Sequence, residues 1–149
     1  LGYNWRMSSI TAALGISQLT KLDKLISMRR KNAMYLSSKL KNFQDISVPH
    51  EHGYKHVYQL YSIRLKNKKT RDNLMKFLSQ KGIMSKIYFD PVHKTPYYKK
   101  LGYSKINLPV TQKISEQILS LPMYPDLKRE EMDYICDSIK EFFRNTNQK

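Results

Sequence analysis

The sequence contains only one cysteine, Cys136, among its 149 residues. An intramolecular disulfide is therefore excluded, and there are no paired thiolates to hold a metal, which fits a reducing compartment. The sequence also lacks an uncharged apolar run of the roughly 20 residues that a membrane-spanning helix needs. These absences favour a globular protein, and we expect a cytoplasmic location with no membrane partner.

Acidic residues are scarce, since 12 Asp and Glu stand against 27 Lys and Arg and give a formal net charge of +15. Residues 1–89 carry most of this excess, with 17 basic and 4 acidic side chains. Lysine dominates over arginine, and aromatic residues do not cluster with the lysines, which is typical of a solvated surface. A nucleotide-bearing substrate and a basic nucleic-acid-binding module, the latter suggested by the run Lys66–Lys69, both stay open as explanations of the charge.

Self-contained catalytic signatures are also missing. The sequence has no Walker loop, no GxGxxG, no HExxH and no GxSxG pattern. His50 and His52 alternate on a predicted loop far from Cys136, which makes a poor set of metal ligands, so we expect no metal site. Cys136 falls on the apolar side of the last predicted helix, which indicates a structural thiol rather than a nucleophile.

Helical periodicity dominates the first part of the chain. Apolar residues recur every three or four positions from Ser8 to Leu40, which predicts helix. Ser8 or Ser9 is the expected N-cap, and the run is expected to break at residues 20–23. Runs rich in β-branched and aromatic residues predict the strands: a short one at Ile46–Val48, the main one at His56–Leu65 and a further one at Ile83–Phe89.

Three more helices complete the prediction. Thr70 is the expected N-cap of a helix that runs to Lys81 and stops at Gly82, where a left-handed residue ends many helices. Thr111 is the expected cap of a helix through Leu119. A closing helix spans residues 128–143, with Met132, Ile135, Ile139, Phe142 and Phe143 facing inward. This order of elements predicts an α+β fold with an antiparallel sheet.

Two stretches are candidates for a site. In the first, Asn4 and Arg6 flank Trp5 just before the first helix, where free N–H groups suit an anion such as phosphate. The alternative is an ordinary capped helix start with a packed tryptophan. In the second, His93 stands in a loop fixed by Pro91 and Pro96, which pre-orders a titratable side chain. The alternative is a surface histidine packed on tyrosines.

An ordered series of motifs resembles the DegT/DnrJ/StrS sugar aminotransferases, which are pyridoxal-phosphate enzymes. The motifs stand in the family's order and cover nearly all of the chain: GYNWRM at 2–7, AALGISQLTKLD at 12–23, HVYQLY at 56–61, KGI at 81–83, PVH at 91–93 with YY at 97–98, and LSLPMYP at 119–125.

The resemblance implies the C-terminal part of a fold-type I transferase that uses pyridoxal 5'-phosphate (PLP). Residues 1–41 would be the end of the large PLP-binding domain with its connecting helix, and residues 42–149 a small C-terminal α+β domain. Such enzymes transfer an amino group, usually from glutamate, to a keto group of a nucleotide-linked sugar in polysaccharide and amino-sugar biosynthesis. They work as homodimers whose active sites lie at the subunit interface.

Roles for individual residues also follow from the resemblance. Asn4 and Arg6 would reach the cofactor phosphate of the partner subunit, and His93 would bind the sugar substrate, with Tyr3 and Tyr88 lining the same pocket. The Schiff-base lysine of the family precedes the GYN motif, so no residue of this chain is assigned a catalytic role. We therefore expect these 149 residues to be inactive alone. A family member without aminotransferase activity, such as a sugar dehydratase, is the close alternative.

Overall fold

The computed structural model describes residues 3 and 5–147. The helices and strands of this part follow in the order α1 (Ser9–Leu19), α2 (Leu22–Leu40), β1 (Ile46–Ser47), β2 (Tyr61–Leu65), α3 (Lys68–Gln80), α4 (Pro96–Lys100), α5 (Pro109–Gln117), β3 (Ile118–Leu121) and α6 (Arg129–Asn147). Two 3-10 turns, Val92–Lys94 and Tyr103–Lys105, flank α4.

The first predicted helix divides where its sequence suggested. α1 ends at Leu19 and α2 begins at Leu22, so the break falls within residues 20–23. Ser8 is the N-cap of α1, since its Oγ accepts a hydrogen bond of 3.2 Å from the Thr11 N–H. α1 has no buried residue, whereas the second half of α2 enters the core.

The three strands form one antiparallel sheet in the order β1-β2-β3. Tyr61 pairs with Leu121 and Ile63 pairs with Leu119 across the β2–β3 ladder. Alternate residues of β2 are buried, as expected for a strand with one face on the core.

The core lies between that face of the sheet and helices α2, α3 and α6. Its fully buried side chains come from all of these elements: Leu36, Leu40, Tyr61, Ile63, Leu65, Leu74, Leu78, Leu119 and Ile139. The five α6 residues predicted to face inward, Met132, Ile135, Ile139, Phe142 and Phe143, are all buried. The observed architecture confirms the predicted α+β fold with a small antiparallel sheet.

Two strand predictions were too long. β2 begins at Tyr61 rather than at His56, and Val57 is 44% exposed instead of facing the core. Tyr58 has a φ of 48°, a left-handed conformation that interrupts an extended strand. Within Ile83–Phe89 only Lys86 pairs with the sheet, through two backbone hydrogen bonds to Ser120 of 3.0 and 2.8 Å.

Two helix predictions were also displaced. Asn67 rather than Thr70 caps α3, because its side chain accepts the N–H of Thr70 at 2.9 Å. α5 begins at Pro109, not after a Thr111 cap, and ends at Gln117. Ile118 and Leu119 belong to β3, since pairing with β2 satisfies their backbone groups in the sheet.

The division of the chain at residue 41 stays a prediction. Ala33, Leu36 and Leu40 of α2 share a single core with residues 46–143. No helix of the described residues is long and apolar enough to cross a membrane.

Candidate functional site

Two of the sequence motifs, HVYQLY and LSLPMYP, meet the segment around Lys86 at a cavity of about 400 Å³, here named the Tyr88 cavity. Its walls come from the residues before β2, the segment beside β3, and β3 with the chain that follows it. The lining residues are Gln59, Leu60, Met84, Lys86, Tyr88, Ser120, Leu121, Pro122, Met123 and Tyr124. This volume falls within the range of small-molecule sites, and mostly apolar walls with a few polar groups are typical of them.

The backbone pairing of Lys86 with Ser120 sets the position of Tyr88. Because these two residues exchange both hydrogen bonds, the segment around Lys86 runs antiparallel beside β3. Tyr88, two positions further on, is half-buried in the cavity wall, with its ring 5.0 Å from that of Phe89 in an edge-on arrangement.

The opposite wall, at Gln59 and Leu60, follows a segment fixed by an arginine–carboxylate pair. Arg30 binds Glu51 through both of its Nη atoms and donates a third bond of 2.7 Å to the His56 carbonyl. Nδ1 of His56 accepts the Tyr58 N–H at 2.8 Å, so this nitrogen carries no proton. The Arg30 guanidinium lowers the pKa of Glu51 below its ordinary value.

Tyr124 is held at the far side of the cavity. Its hydroxyl donates to Glu131 at 3.2 Å, and its carbonyl accepts a bond of 3.0 Å from the Asn32 side chain. Burial, together with the Glu131 carboxylate, raises the pKa of the Tyr124 phenol. Tyr124 therefore stays a neutral hydrogen-bonding group at physiological pH.

His93 sits in the 3-10 turn Val92–Lys94 and is buried, with 9% exposure. The turn is closed by a bond of 2.8 Å from the Lys94 N–H to the Pro91 carbonyl. Among the described residues, Nε2 of His93 is one of the few buried side-chain atoms with no hydrogen-bond partner. Buried polar atoms are nearly always paired, so this nitrogen is an exception within the described residues, as are Nε of Arg29 and Oγ of Ser85.

The described residues before α1 are exposed to solvent. Tyr3 and Trp5 stack with ring centroids 5.4 Å apart and are 75% and 88% exposed. Trp5 is therefore not packed against the described part of the chain. The Arg6 side chain is also exposed, two residues before the Ser8 cap. Asn4 lies outside the described residues.

The structure therefore brings the predicted residues together only in part. Tyr88 lines the cavity that bears its name, whereas Tyr3, Arg6 and His93 are not among the residues of its wall. Sequence reasoning missed Gln59 and Tyr124 as lining residues. Gln59 had left a signal, because it interrupts the apolar face of a predicted strand, and Tyr124 stands inside the LSLPMYP motif.

The last two candidates are the Cys136 thiol and a metal site. Cys136 is buried, as predicted, and its burial raises the pKa of the thiol to about 12, far from the range of a nucleophile. Within the part of the chain that the structure covers, no group of three His, Cys, Asp or Glu is placed to hold a metal ion.

The chain belongs to the DegT/DnrJ/EryC1/StrS aminotransferase family, because the sequence model of that family matches residues 1–140. This confirms the resemblance inferred from the ordered motifs. A curated relative from Geobacillus stearothermophilus, named "Pleiotropic regulatory protein", is 37% identical over 97% of this chain and 39% of its own length. GDP-perosamine synthase of Escherichia coli O157:H7 is 32% identical over 96% of this chain and 38% of its own length.

A solved structure agrees with these sequence relatives. The PLP form of a protein described as a sugar aminotransferase, Spr1654 of Streptococcus pneumoniae, superposes with a TM-score of 0.87. It is 26% identical and is matched over 97% of this chain and 38% of its own length. The chain thus has the fold of part of a fold-type I PLP-dependent transferase, and it spans about two fifths of the length of the proteins that it matches.

Proposed function

We propose that this chain is part of a PLP-dependent aminotransferase that transfers an amino group, from glutamate, to a keto group of a nucleotide-linked sugar. Such a product serves polysaccharide and amino-sugar biosynthesis. The family membership of residues 1–140 and the relative that is a GDP-perosamine synthase support this proposal. The enzyme would be a cytoplasmic homodimer.

The opening segment fits the phosphate end of the cofactor. Arg6 is an exposed residue at the entry to α1, and a guanidinium and an amide are suitable donors to phosphate oxygens. Arg6 and Asn4 would hold the cofactor phosphate of the partner subunit. When bound, PLP supplies the electron sink for amino transfer. No lysine of this chain is proposed to hold it.

The observation that carries the substrate assignment is the buried, unpartnered Nε2 of His93. A ring held in a closed turn, with one nitrogen left unpaired, is ready to bind a hydroxyl or a phosphate oxygen at little entropic cost. Tyr88, in the wall of the 400 Å³ cavity, would contribute a second polar contact to the sugar. Tyr3 is proposed to complete the pocket across the subunit interface.

A substitution at His93 tests this assignment in the protein as its gene encodes it. His93→Gln should raise the KM for the nucleotide-linked sugar about tenfold, since a hydrogen bond to a buried group is worth roughly 1–3 kcal/mol. Retention of PLP, read from its visible absorbance, should not change. The matched control is His50→Gln, because His50 is exposed and has no hydrogen bond in the described structure. Equal kinetics for both variants would contradict a substrate role for His93.

The relative named as a regulatory protein keeps a family member without aminotransferase activity as the second candidate. The visible absorbance of PLP distinguishes the two: in an aminotransferase, glutamate should remove the band because its amino group passes to the cofactor, and a nucleotide-linked keto sugar should restore it. If the absorbance of bound PLP stays unchanged with every amino donor tried, a dehydratase or a non-catalytic relative would be favoured.

A further inference from the structure

A second cavity, of about 630 Å³, lies between the sheet and α5. It shares no lining residue with the Tyr88 cavity. Its walls are formed by β1, the end of β2 and α5. The lining residues are Gln44, Asp45, Ser47, Arg64, Leu65, Lys66, Val110, Lys113, Ile114 and Gln117.

Positive charge converges on this cavity from three different elements. Arg64 is on β2, Lys66 follows β2, and Lys113 is on α5. In the part of the chain that the structure describes, none of the three has a carboxylate within 4.0 Å, and the lining contains a single acidic residue, Asp45. Cationic side chains that line a concave surface without acidic partners attract anions from solution.

The wall that carries these cations is fixed by hydrogen bonds. Gln117 donates to the Lys66 carbonyl at 2.8 Å, which ties the end of α5 to the end of β2. Arg71, with 4% exposure, donates to the Ser115 carbonyl at 3.1 Å and secures the same helix from its other side. The three cationic side chains therefore start from backbone positions that need no rearrangement to bind a ligand.

We propose that this cavity binds a small diphosphate-bearing anion through Arg64, Lys66 and Lys113. Its volume suits a ligand of nucleotide size. The guanidinium of Arg64 provides paired donors for phosphate oxygens, and the two ammonium groups add point charges. The lining contains no aromatic side chain, so bases cannot stack there as they do in single-stranded nucleic-acid sites. The recognised group is thus the diphosphate itself.

Isothermal titration of the protein, as its gene encodes it, tests the site with two probes, inorganic pyrophosphate and a nucleoside diphosphate. We expect saturable binding of pyrophosphate that weakens as salt is added. The double variant Arg64→Gln, Lys113→Gln should bind it about tenfold or more weakly, because two charge-assisted contacts are lost. Both positions are exposed, and circular dichroism with a thermal melt checks that the variant is folded.

The matched control is the double variant Lys140→Gln, Arg144→Gln, since both residues are exposed on α6 and together remove one lysine and one arginine outside the cavity. Equal affinity of both probes would identify the diphosphate alone as the ligand, and tighter binding of the nucleoside diphosphate would identify a nucleotide as its source. Either result supports the site. An equal loss in the control double variant Lys140→Gln, Arg144→Gln would overturn it, as would the absence of saturable pyrophosphate binding.

Discussion

Tyr61 and Cys136 are among the ionisable side chains that lie within the core. Tyr61 is fully buried, and its hydroxyl is 2.9 Å from Oγ of Ser37. Cys136 is 6% exposed. Burial raises the pKa of Cys136 to about 12 and raises the pKa of Tyr61 above its ordinary value of 10.0. The folded protein therefore keeps both groups protonated in solutions where the unfolded chain would lose the protons.

This difference predicts that alkaline solution destabilises the fold. Above about pH 9 the unfolded chain binds fewer protons than the native one, so the free energy of unfolding falls as pH rises. The part due to Cys136 should be on the order of 1 kcal/mol by about pH 10. Urea unfolding of the wild type and of Cys136→Ala, followed from neutral pH to about pH 10.5, measures it. An unchanged pH slope in the variant would show that the thiol already titrates in the native state.

At the scale of elements, the start of α3 depends on one side chain. Oδ1 of Asn67 accepts the N–H of Thr70 at 2.9 Å and its hydroxyl at 3.1 Å. Asn67→Ala should lower the free energy of unfolding by about 1 kcal/mol, since the N–H of the first turn loses its partner. Thr70→Ala should cost less, because the backbone bond to Asn67 is kept. Denaturant titration compares the two, with Asn67→Asp as the control that retains the acceptor. A larger loss in Thr70→Ala would contradict this cap.

Elements with a strong local signal were predictable from the sequence. The periodicity of α2 and α6 and the Ser8 cap all agree with the structure. The predicted element boundaries were wrong where tertiary contacts determine the secondary structure. The prediction extended α5 through Leu119 because the apolar spacing continues there, but pairing with β2 makes Leu119 a strand residue. The strand from His56 failed because the Arg30–Glu51 pair and the left-handed Tyr58 shape that segment instead.

The candidate site was predictable to a smaller extent. The family resemblance pointed to Tyr88 and His93 as substrate-binding residues. The structure places Tyr88 in a cavity wall and His93 in a closed turn. Periodicity could not predict that Gln59 and Tyr124 join Tyr88, because their meeting depends on the long-range pairing of Lys86 with Ser120. The grouping of Arg64, Lys66 and Lys113 was hidden for the same reason, since it requires α5 to pack beside β2.

At the scale of the whole molecule, apolar surface is distributed unevenly. α1 exposes Ile10, Leu14, Ile16 and Leu19 by 62% or more each and buries no residue. An isolated helix of this length is marginal in water, and helices are usually stabilised by packing of an apolar face. Since the chain spans about two fifths of the length of its relatives, we propose that the remainder of a family-length protein packs against α1.

A matched pair of leucine substitutions tests how α1 is engaged. In the 149-residue chain, Leu36→Ala should lower the free energy of unfolding by roughly 2–5 kcal/mol, because it opens a cavity in the core. Leu14, which is 62% exposed, loses no packing there, so Leu14→Ala should stay within about 0.5 kcal/mol of the wild type. In the protein as its gene encodes it, Leu14→Ala should cost clearly more, since packing would then cover this side chain. Urea titration of both variants, in the 149-residue chain and in the protein as its gene encodes it, measures these changes in the free energy of unfolding. If Leu14→Ala has the same negligible effect in both, α1 is not covered by another part of the protein.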